Sequence, residues 1–330
     1  MAGKRTLIFL AAGIICLAAA VLSLCLGAAR LPLAELWQAV TRGPADTAGW
    51  IFWYARLPRT AACLLSGAGL AVSGAVIQGV LHNKLASPGI IGVNAGAGFA
   101  VTLCCALGLL SGWVIALAAF VGAMGCVLLV VITARKTGAS RTTVILGGVA
   151  IGSFLTALSE ALVTLIPEAG MLSGDYRVGG FAAVAYTRLI PAGILILLGL
   201  IVVLTLCNEL DVLALGEETA HSLGMPVEKI RTLLLILAAM LAGASVSFAG
   251  LLGFVGLIVP HIARRLVGGE SRYLLPLCAI GGAGFVTACD LTARLLFAPY
   301  ELPVGILLSV IGGPFFIILL LKSKGGRSHA

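Results

Sequence analysis

Long apolar runs separated by short polar segments make up most of the chain. Several runs reach the roughly 20 residues that a helix needs to cross a hydrocarbon core of about 30 Å. We predict ten membrane spans, at 6–28, 58–81, 88–110, 113–134, 142–166, 189–207, 230–250, 253–267, 273–297 and 303–322. The pair around residue 250 is the least regular, because Gly250, Gly253 and Gly256 precede Pro260. One broken helix and a separate short half-span both fit this segment.

A polar island at 208–231 interrupts this pattern and holds five of the chain's 13 acidic residues. Leu210, Leu213 and Leu215 form one short apolar set, which predicts a first short helix. The pair Glu217-Glu218 then opens a second one, and Gly224 closes it. Acidic residues in a first turn and glycine after the last turn are ordinary helix boundaries. Two short helices between membrane spans are typical of a platform on which a soluble partner docks.

Composition sets the class of protein. The chain is 60% hydrophobic and 10% charged, whereas soluble domains are about a quarter charged. We therefore predict an all-α polytopic membrane protein, with residues 1–330 forming a single transmembrane domain. Small residues in the spans predict close helix packing, namely Gly92 with Gly96, Ala71 and Gly67 with Gly74, and Gly243 with Gly250.

The basic residues predict the orientation in the membrane. With the N-terminus in the cytoplasm, 14 lysines and arginines fall on the inner side and seven on the outer side, in the direction of the positive-inside rule. An even number of spans then places both termini and the polar island in the cytoplasm. The net charge of +8 lies at span ends and forms no patch, so we predict no nucleic-acid partner.

Motifs for nucleotide, metal or catalytic chemistry are missing from the sequence. It contains no GxxxxGK[ST], HExxH or GxSxG motif, and its nine cysteines form no CxxC pair. His261 stands alone near a span end and favours a structural role. These observations predict a chain that is not an enzyme and that holds no cofactor and no metal.

Charged residues inside the spans need an explanation, because each costs roughly 2.5–3.5 kcal/mol at the bilayer centre on insertion scales. Asp290 and Arg294 are four residues apart, which predicts a local ion pair on one helix face. Glu160 continues a polar stripe with Ser153 and Thr156. This stripe fits either the lining of a water-filled path or hydrogen bonding between helices.

Two arginines, Arg56 and Arg59, flank Pro58 at the start of the second span. Their guanidinium groups could bind either the carboxylates of a partner protein or lipid headgroups.

Five segments together resemble the FecCD-type permeases, the membrane subunits of ABC importers for ferric siderophores, haem and cobalamin. They read RLPRTAACLLSGAGLAVSGAVIQGVLHNKLASPGIIGVNAGA (56–97), LGEETAHSLGM (215–225), GLLGFVGLIVPHIARRLVG (250–268), DLTARLLFAPYELPVG (290–305) and IGGPFFIILLLK (311–322). The resemblance follows the family's order over nearly the whole chain and is weakest at 28–55 and 168–188. It implies the type II ABC importer permease fold in a bacterial cytoplasmic membrane.

The resemblance also implies partners and site residues. A separate ATP-binding subunit, in two copies, would dock on the coupling segment at Leu215, Gly216, Glu217, Glu218, Ala220, Leu223 and Gly224. An extracytoplasmic binding protein would place acidic residues on Arg56, Arg59 and Arg294. A second permease copy, identical or paralogous, would complete a central path, with a cytoplasmic gate at Asn83 and Leu85. The family's usual Asn-Pro-Leu-Ala reads Asn83-Lys84-Leu85-Ala86 here.

The implied function is the import of an iron chelate, with a ferric siderophore as the main hypothesis and haem or cobalamin as alternatives. The lack of a nucleotide motif agrees with a borrowed ATPase. A different class, an ion-coupled secondary transporter that uses Asp290 and Glu160, remains open from the residues alone.

Overall fold

The structure is a computed structural model that describes residues 2–27, 32–136, 141–296, 298 and 300–324. Arg30 and Arg327, which the orientation prediction counted, lie outside this part of the chain. Within it, the regular elements are fifteen α-helices and one π-helical segment, Ile51–Arg56. The helices are α1 Ala2–Cys25, α2 Leu33–Arg42, α3 Thr47–Trp50, α4 Leu57–Val80, α5 Val93–Ala106, α6 Gly112–Lys136, α7 Arg141–Leu165, α8 Pro167–Val178, α9 Tyr186–Thr205, α10 Cys207–Ala214, α11 Glu217–Ser222, α12 Val227–Ala249, α13 Val255–Val267, α14 Ser271–Leu296 and α15 Val304–Lys324.

Each of the ten predicted spans coincides with one helix of the structure, namely α1, α4, α5, α6, α7, α9, α12, α13, α14 or α15. Eight helical segments of the described chain are long and apolar enough to cross a membrane. The other two, α5 with 14 residues and α13 with 13 residues, are shorter. These helices confirm the all-α polytopic class.

The centre of the bundle consists of α4 and α12, whose residues are mostly buried, together with α14. Little of α1, α7 and α15 is buried, so these helices lie at the periphery. A peripheral helix of this hydrophobicity is suited to lipid or to a neighbouring subunit, whereas the central helices are covered within the chain.

Glycines bring the central helices into backbone contact. A Cβ atom on Gly67 of α4 would collide with the carbonyl of Gly282 on α14, and one on Gly74 with the carbonyl of Gly256 on α13. Gly96 of α5 lies against Gly122 of α6 in the same way. Without hydrophobic driving force in lipid, such close backbone packing is a main source of helix association. The predicted packing role of Gly67, Gly74 and Gly96 is thus confirmed.

The irregular segment around residue 250 separates two helices. Helix α12 ends at Ala249, and α13 begins at Val255 after Phe254, which has a left-handed backbone. The backbone groups freed by the break find partners next to α8: Leu251 N donates to Tyr176 O at 3.0 Å, and Gly180 N donates to Ala249 O at 2.8 Å. A break at membrane depth requires such partners.

Four elements were not predicted from the sequence: α2, α3, the π-helical segment and α8. Helix α8 begins with Pro167 and Glu168, a start signal that the sequence analysis passed over. Helix α2 packs Leu36 and Ala39 against Phe52. These elements fill the two segments in which the family resemblance is weakest.

Ion pairs and hydrogen bonds mark the two ends of the bundle. At one end, called the α11 end below, Arg5 pairs with Glu270 at 3.1 Å. At the other, called the Arg59 end, Arg59 pairs with Asp290 at 2.9 Å. The candidate functional residues gather at these two ends and along one face between them.

Candidate functional site

Asp290 is the centre of an ion-pair network at the Arg59 end. The Nε and Nη2 groups of Arg59 donate to both carboxylate oxygens of Asp290, at 2.9–3.3 Å. Arg294 Nε lies 3.0 Å from Asp290 Oδ2, which confirms the ion pair predicted from the i, i+4 spacing. The Asp290 side chain is 1% exposed. This carboxylate thus joins α4 to α14 from inside the protein, where losing one partner is costly.

Arg56 and Arg294 turn inward toward the end of α1. Arg294 Nη2 donates to Ser23 Oγ at 2.7 Å, and Arg56 Nη1 donates to the carbonyls of Leu24 and Cys25 at 2.8 and 2.7 Å. Both arginines are buried. Their positive charges lie at the C-terminus of α1, where cations are stabilising.

Arg59 is the most accessible of the three predicted docking arginines. Its Nη1 group donates to Glu301 Oε2 at 2.6 Å, and the Glu301 side chain is 34% exposed. Beside this pair lies a cavity of about 400 Å³, lined by Arg59, Glu301, Asp175 and Arg188 among others. The structure therefore brings the three predicted arginines together, and among them Arg59, with a 12% exposed side chain, bonds to the partly exposed Glu301.

The polar stripe of α7 lines a groove of about 730 Å³. Ser153, Thr156 and Glu160 lie along it, and Asn94 and Thr102 contribute further polar groups from α5. Thr156 Oγ1 donates to the Gly152 carbonyl of its own helix at 2.9 Å rather than to another helix. Glu160 forms an ion pair with Arg177 of α8, so its carboxylate is neutralised at the Arg59 end of the groove.

The predicted gate residues lie in the loop between α4 and α5. Asn83 Oδ1 accepts a hydrogen bond from Leu85 N at 2.9 Å, which holds the loop in a tight turn. Leu85 lines a cavity of about 350 Å³ together with Gly253 and Phe254, from the break before α13. Lys84 is exposed. The loop and the helix break therefore meet at one cavity.

A buried hydrogen-bond chain that the sequence analysis did not find ties α13 to α4. Arg264 Nη1 donates to Gln78 Oε1 at 2.8 Å, and Gln78 Nε2 donates to the Gly256 carbonyl at 3.1 Å. Gln78 is 3% exposed. A glutamine inside an apolar span was the available signal, because a buried amide needs partners for both of its ends.

The polar island forms α10 and α11 at the α11 end. Gly216 between the two helices has φ +113°, and Gly224 after them has φ +78°. Glu217 forms an ion pair with Arg231 of α12, which fastens the start of α11 to the membrane bundle. Ala220 is fully buried, whereas Glu218 is exposed. The predicted helix boundaries at Glu217 and Gly224 are confirmed.

The leucines of this segment separate into two groups. Leu210 and Leu213 are buried, but Leu215 and Leu223 are 64% and 63% exposed. The prediction that Leu215 belongs to the same apolar set as Leu210 and Leu213 is therefore wrong, because residues two and five positions apart lie on different faces of a helix. Two exposed leucines on one short segment form the apolar part of a surface that a partner can cover.

Asp211 has a structural role that the sequence analysis did not predict. The Asp211 carboxylate accepts from Ser271 N at 3.0 Å and from Ser271 Oγ at 2.6 Å. Ser271 is the first residue of α14, so Asp211 neutralises that helix N-terminus. The contact anchors α10 to the bundle.

Within the described residues, no group of three His, Cys, Asp or Glu side chains is placed to hold a metal ion. The nine cysteines are free thiols, and six of them are buried.

Comparison with known proteins identifies the family. The model of the FecCD transport family matches residues 15–322. The hemin transport system permease protein HmuU of Yersinia pestis is 35% identical over 92% of this chain and 92% of its own length. The vitamin B12 import system permease protein BtuC of Salmonella arizonae is 38% identical over 95% of this chain and 94% of its own length. The iron(3+)-hydroxamate import system permease protein FhuB of Bacillus subtilis is 38% identical over 95% of this chain and 82% of its own length.

Solved structures agree with this assignment. A metal-chelate-type ABC transporter in an inward-facing conformation has a TM-score of 0.84 and 30% identity, covering 96% of this chain and 99% of its own. The PsaBC structure from Streptococcus pneumoniae has a TM-score of 0.55 and 20% identity, covering 79% and 88%, and shows likeness of fold alone. Fold, sequence and motifs lead to one conclusion: the chain belongs to the FecCD transport family and is a multi-pass permease subunit with the type II ABC importer fold.

Proposed function

We propose that this chain, as the permease of an ATP-driven importer, moves an iron chelate into the cell, with a ferric siderophore as the first candidate. Relatives named for iron(3+)-hydroxamate and hemin support an iron-containing cargo. The relative named for vitamin B12 makes cobalamin the second candidate. Binding of the cargo is assigned to the separate binding protein, which also sets the choice among these chelates.

The observation that carries the proposal is the surface formed by α10 and α11. Leu215 and Leu223 are exposed beside the acidic Glu218, and the sequence has no nucleotide-binding motif of its own. We assign this surface to two copies of a separate ATP-binding subunit, one for each permease. Ala220, Gly216 and Gly224 set the shape of the segment, and Glu217 transmits its movement to α12 through Arg231.

Two copies of the chain, or this chain and a paralogue, form the central path in this proposal. The groove along Ser153, Thr156 and Glu160 runs over α7, and little of that helix is buried in the single chain. A second permease packed against this face would turn the open groove into an enclosed path. Asn83 and Leu85 would then narrow the path beside the cavity at the helix break.

The termini and the α11 end are assigned to the cytoplasm, and the Arg59 end to the outside. The distribution of basic residues supports this orientation. The binding protein then docks at the Arg59 end. Among Arg56, Arg59 and Arg294, we assign the direct contact to Arg59 because of its accessible Nη1 group, whereas Arg56 and Arg294 hold its surroundings.

Ion-coupled transport, the alternative from another class, has no specific observation in its favour. Asp290 is paired with two arginines and Glu160 with Arg177, so neither carboxylate resembles a proton or sodium relay. Growth on a ferric siderophore, haem or cobalamin as the single source, after deletion and complementation of the gene, identifies the cargo. Lost growth on only one source names it, and unchanged growth on all three contradicts the proposal.

A further inference from the structure

Glu301 covers the one edge of the Arg59 guanidinium that a partner protein can reach. The Nε and Nη2 edge faces Asp290, whose side chain is 1% exposed. The Nη1 edge faces Glu301, whose side chain is 34% exposed. A carboxylate arriving from outside therefore meets an arginine already engaged by two carboxylates of its own chain, one of them buried and the other at the surface.

The surroundings of Glu301 allow it to leave this position. Residues 301–303 are not helical and lead into α15, which begins at Val304. Glu301 and Arg59 both line the cavity of about 400 Å³ at this end, so the glutamate has space beside it. By contrast, Asp290 lies within α14 and is held by two arginines. An ion pair with one partner at the surface is weaker than a fully buried pair, which is costly to break.

We infer that Glu301 is an internal competitor for docking: a carboxylate of the binding protein displaces it from Nη1 of Arg59, while Asp290 keeps its hold on the opposite edge. The inference rests on the proposed docking role of Arg59 and adds a residue that controls the strength of docking. The exchange replaces one arginine–carboxylate pair with another, so its net free energy is small. The competitor thus limits the affinity and allows the binding protein to dissociate after delivery.

The same exchange couples docking to the permease. Glu301 is joined through Pro303 to Gly305 of α15, whose N–H donates to the Gly179 carbonyl after α8 at 3.1 Å. The loop after α8 also contacts the break between α12 and α13 through Gly180 and Ala249. Release of Glu301 consequently frees residues 301–303, which are linked to that helix break through the hydrogen bonds of Gly305 with Gly179 and of Gly180 with Ala249.

The test measures docking on the complete complex of permease and ATP-binding subunits in lipid nanodiscs. The probe is the cognate extracytoplasmic binding protein, purified in soluble form. We expect Glu301→Gln to lower the Kd by about fivefold, the factor that corresponds to ~1 kcal/mol for an exposed ion pair. Glu301→Asp keeps the charge but shortens the side chain by one methylene, so it should also lower the Kd, by a smaller factor.

Asp175→Asn is the matched control for charge. Asp175 lines the same cavity and is exposed, so its neutralisation changes the local charge equally without freeing Arg59. The inference predicts a change of less than about twofold for this variant, because a screened charge at the surface contributes little. Equal tightening by Asp175→Asn and Glu301→Gln would overturn it, as would unchanged or weaker docking of both Glu301 variants.

Arg59→Gln separates this inference from the proposed function. If this variant loses docking while the Glu301 variants bind like the unchanged complex, Arg59 is the contact and the competitor role is wrong. If Arg59→Gln itself docks normally, the proposed docking role fails and the inference fails with it. Thermal melting of each complex shows whether a variant is folded, and Glu301→Asp serves if Glu301→Gln is not.

Discussion

Arg59 of α4 and Asp290 of α14 form a two-point ion pair, with Nη2 to Oδ1 at 2.9 Å and Nε to Oδ2 at 3.0 Å. The two residues are 231 positions apart in the sequence, and the pair closes the bundle at the end assigned to docking. Arg294 adds a third charge to the same carboxylate. The buried Asp290 carboxylate is thereby paired with two arginines inside an apolar bundle.

Removing the carboxylate tests the importance of this network for stability. Asp290→Asn would leave the guanidinium groups of Arg59 and Arg294 without their common anion, and breaking a buried pair in this way costs about 3–5 kcal/mol. We expect a clearly lower melting temperature of the purified permease in detergent. Glu270→Gln is the control, because it breaks the exposed pair with Arg5, worth at most about 1 kcal/mol. Equal melting temperatures for the two variants would contradict the stabilising role of the Asp290 ion-pair network.

Gly74 tests the close packing of α4 on α13. Gly74→Ala places a methyl group on the backbone of Gly256, which cannot move without shifting a helix. We expect a loss of stability of about 1–3 kcal/mol, as for other overpacked cores, measured by thermal unfolding. Gly125→Ala on α6 is the control, since a Cβ there meets nothing within 4 Å. A stable Gly74→Ala protein would mean that the two helices do not touch at this point.

Much of the fold could be predicted because its spans are defined by hydrophobicity alone. The runs that became α4 and α12 are long and apolar, and the signals at Glu217 and Gly224 are local. The exposure of Leu215 was missed although the helical period predicts it, because positions i and i+2 lie on different faces of a helix. The pairs of Asp290 with Arg59 and of Asp211 with Ser271 depend on contacts between distant helices.

The groove along α7 makes a prediction about transport. Thr156→Trp would fill the groove with a large side chain, so we expect uptake to fall at least tenfold while the protein remains folded. Thr164→Trp is a matched control on the same helix: Thr164 is exposed, makes the same kind of bond to the carbonyl four residues earlier, and does not line the groove. The measurement is uptake of labelled chelate into proteoliposomes, and similar uptake by the two variants would exclude this groove as the path.

The exposed leucines of the coupling segment make a further prediction. Leu223→Asp places a charge on the surface assigned to the ATP-binding subunit, and because Leu223 is 63% exposed the isolated permease should stay folded. We expect co-purification of that subunit to fall at least tenfold. Leu223→Met keeps an apolar side chain and should retain the subunit. If Leu223→Asp retained it too, the docking surface would lie elsewhere.

Gly216 should be sensitive to backbone change rather than to side-chain volume. Its φ of +113° is outside the range of proline, while a Cβ at this position meets nothing within 4 Å. Gly216→Pro combined with Glu217→Ala would change the angle of α11 and remove the ion pair with Arg231. Uptake should be lost, and normal uptake with normal subunit yield would show that this segment does not couple ATP hydrolysis to transport.

The most direct test of the account is uptake by the reconstituted complex. The permease, its ATP-binding subunit and its binding protein are placed in proteoliposomes, and accumulation of a radiolabelled ferric siderophore is followed with ATP, without ATP, and with an imposed proton or sodium gradient. The account predicts accumulation that needs ATP, that ignores the gradients, and that disappears in Leu223→Asp. Accumulation without ATP that follows an ion gradient and persists in Leu223→Asp would contradict it.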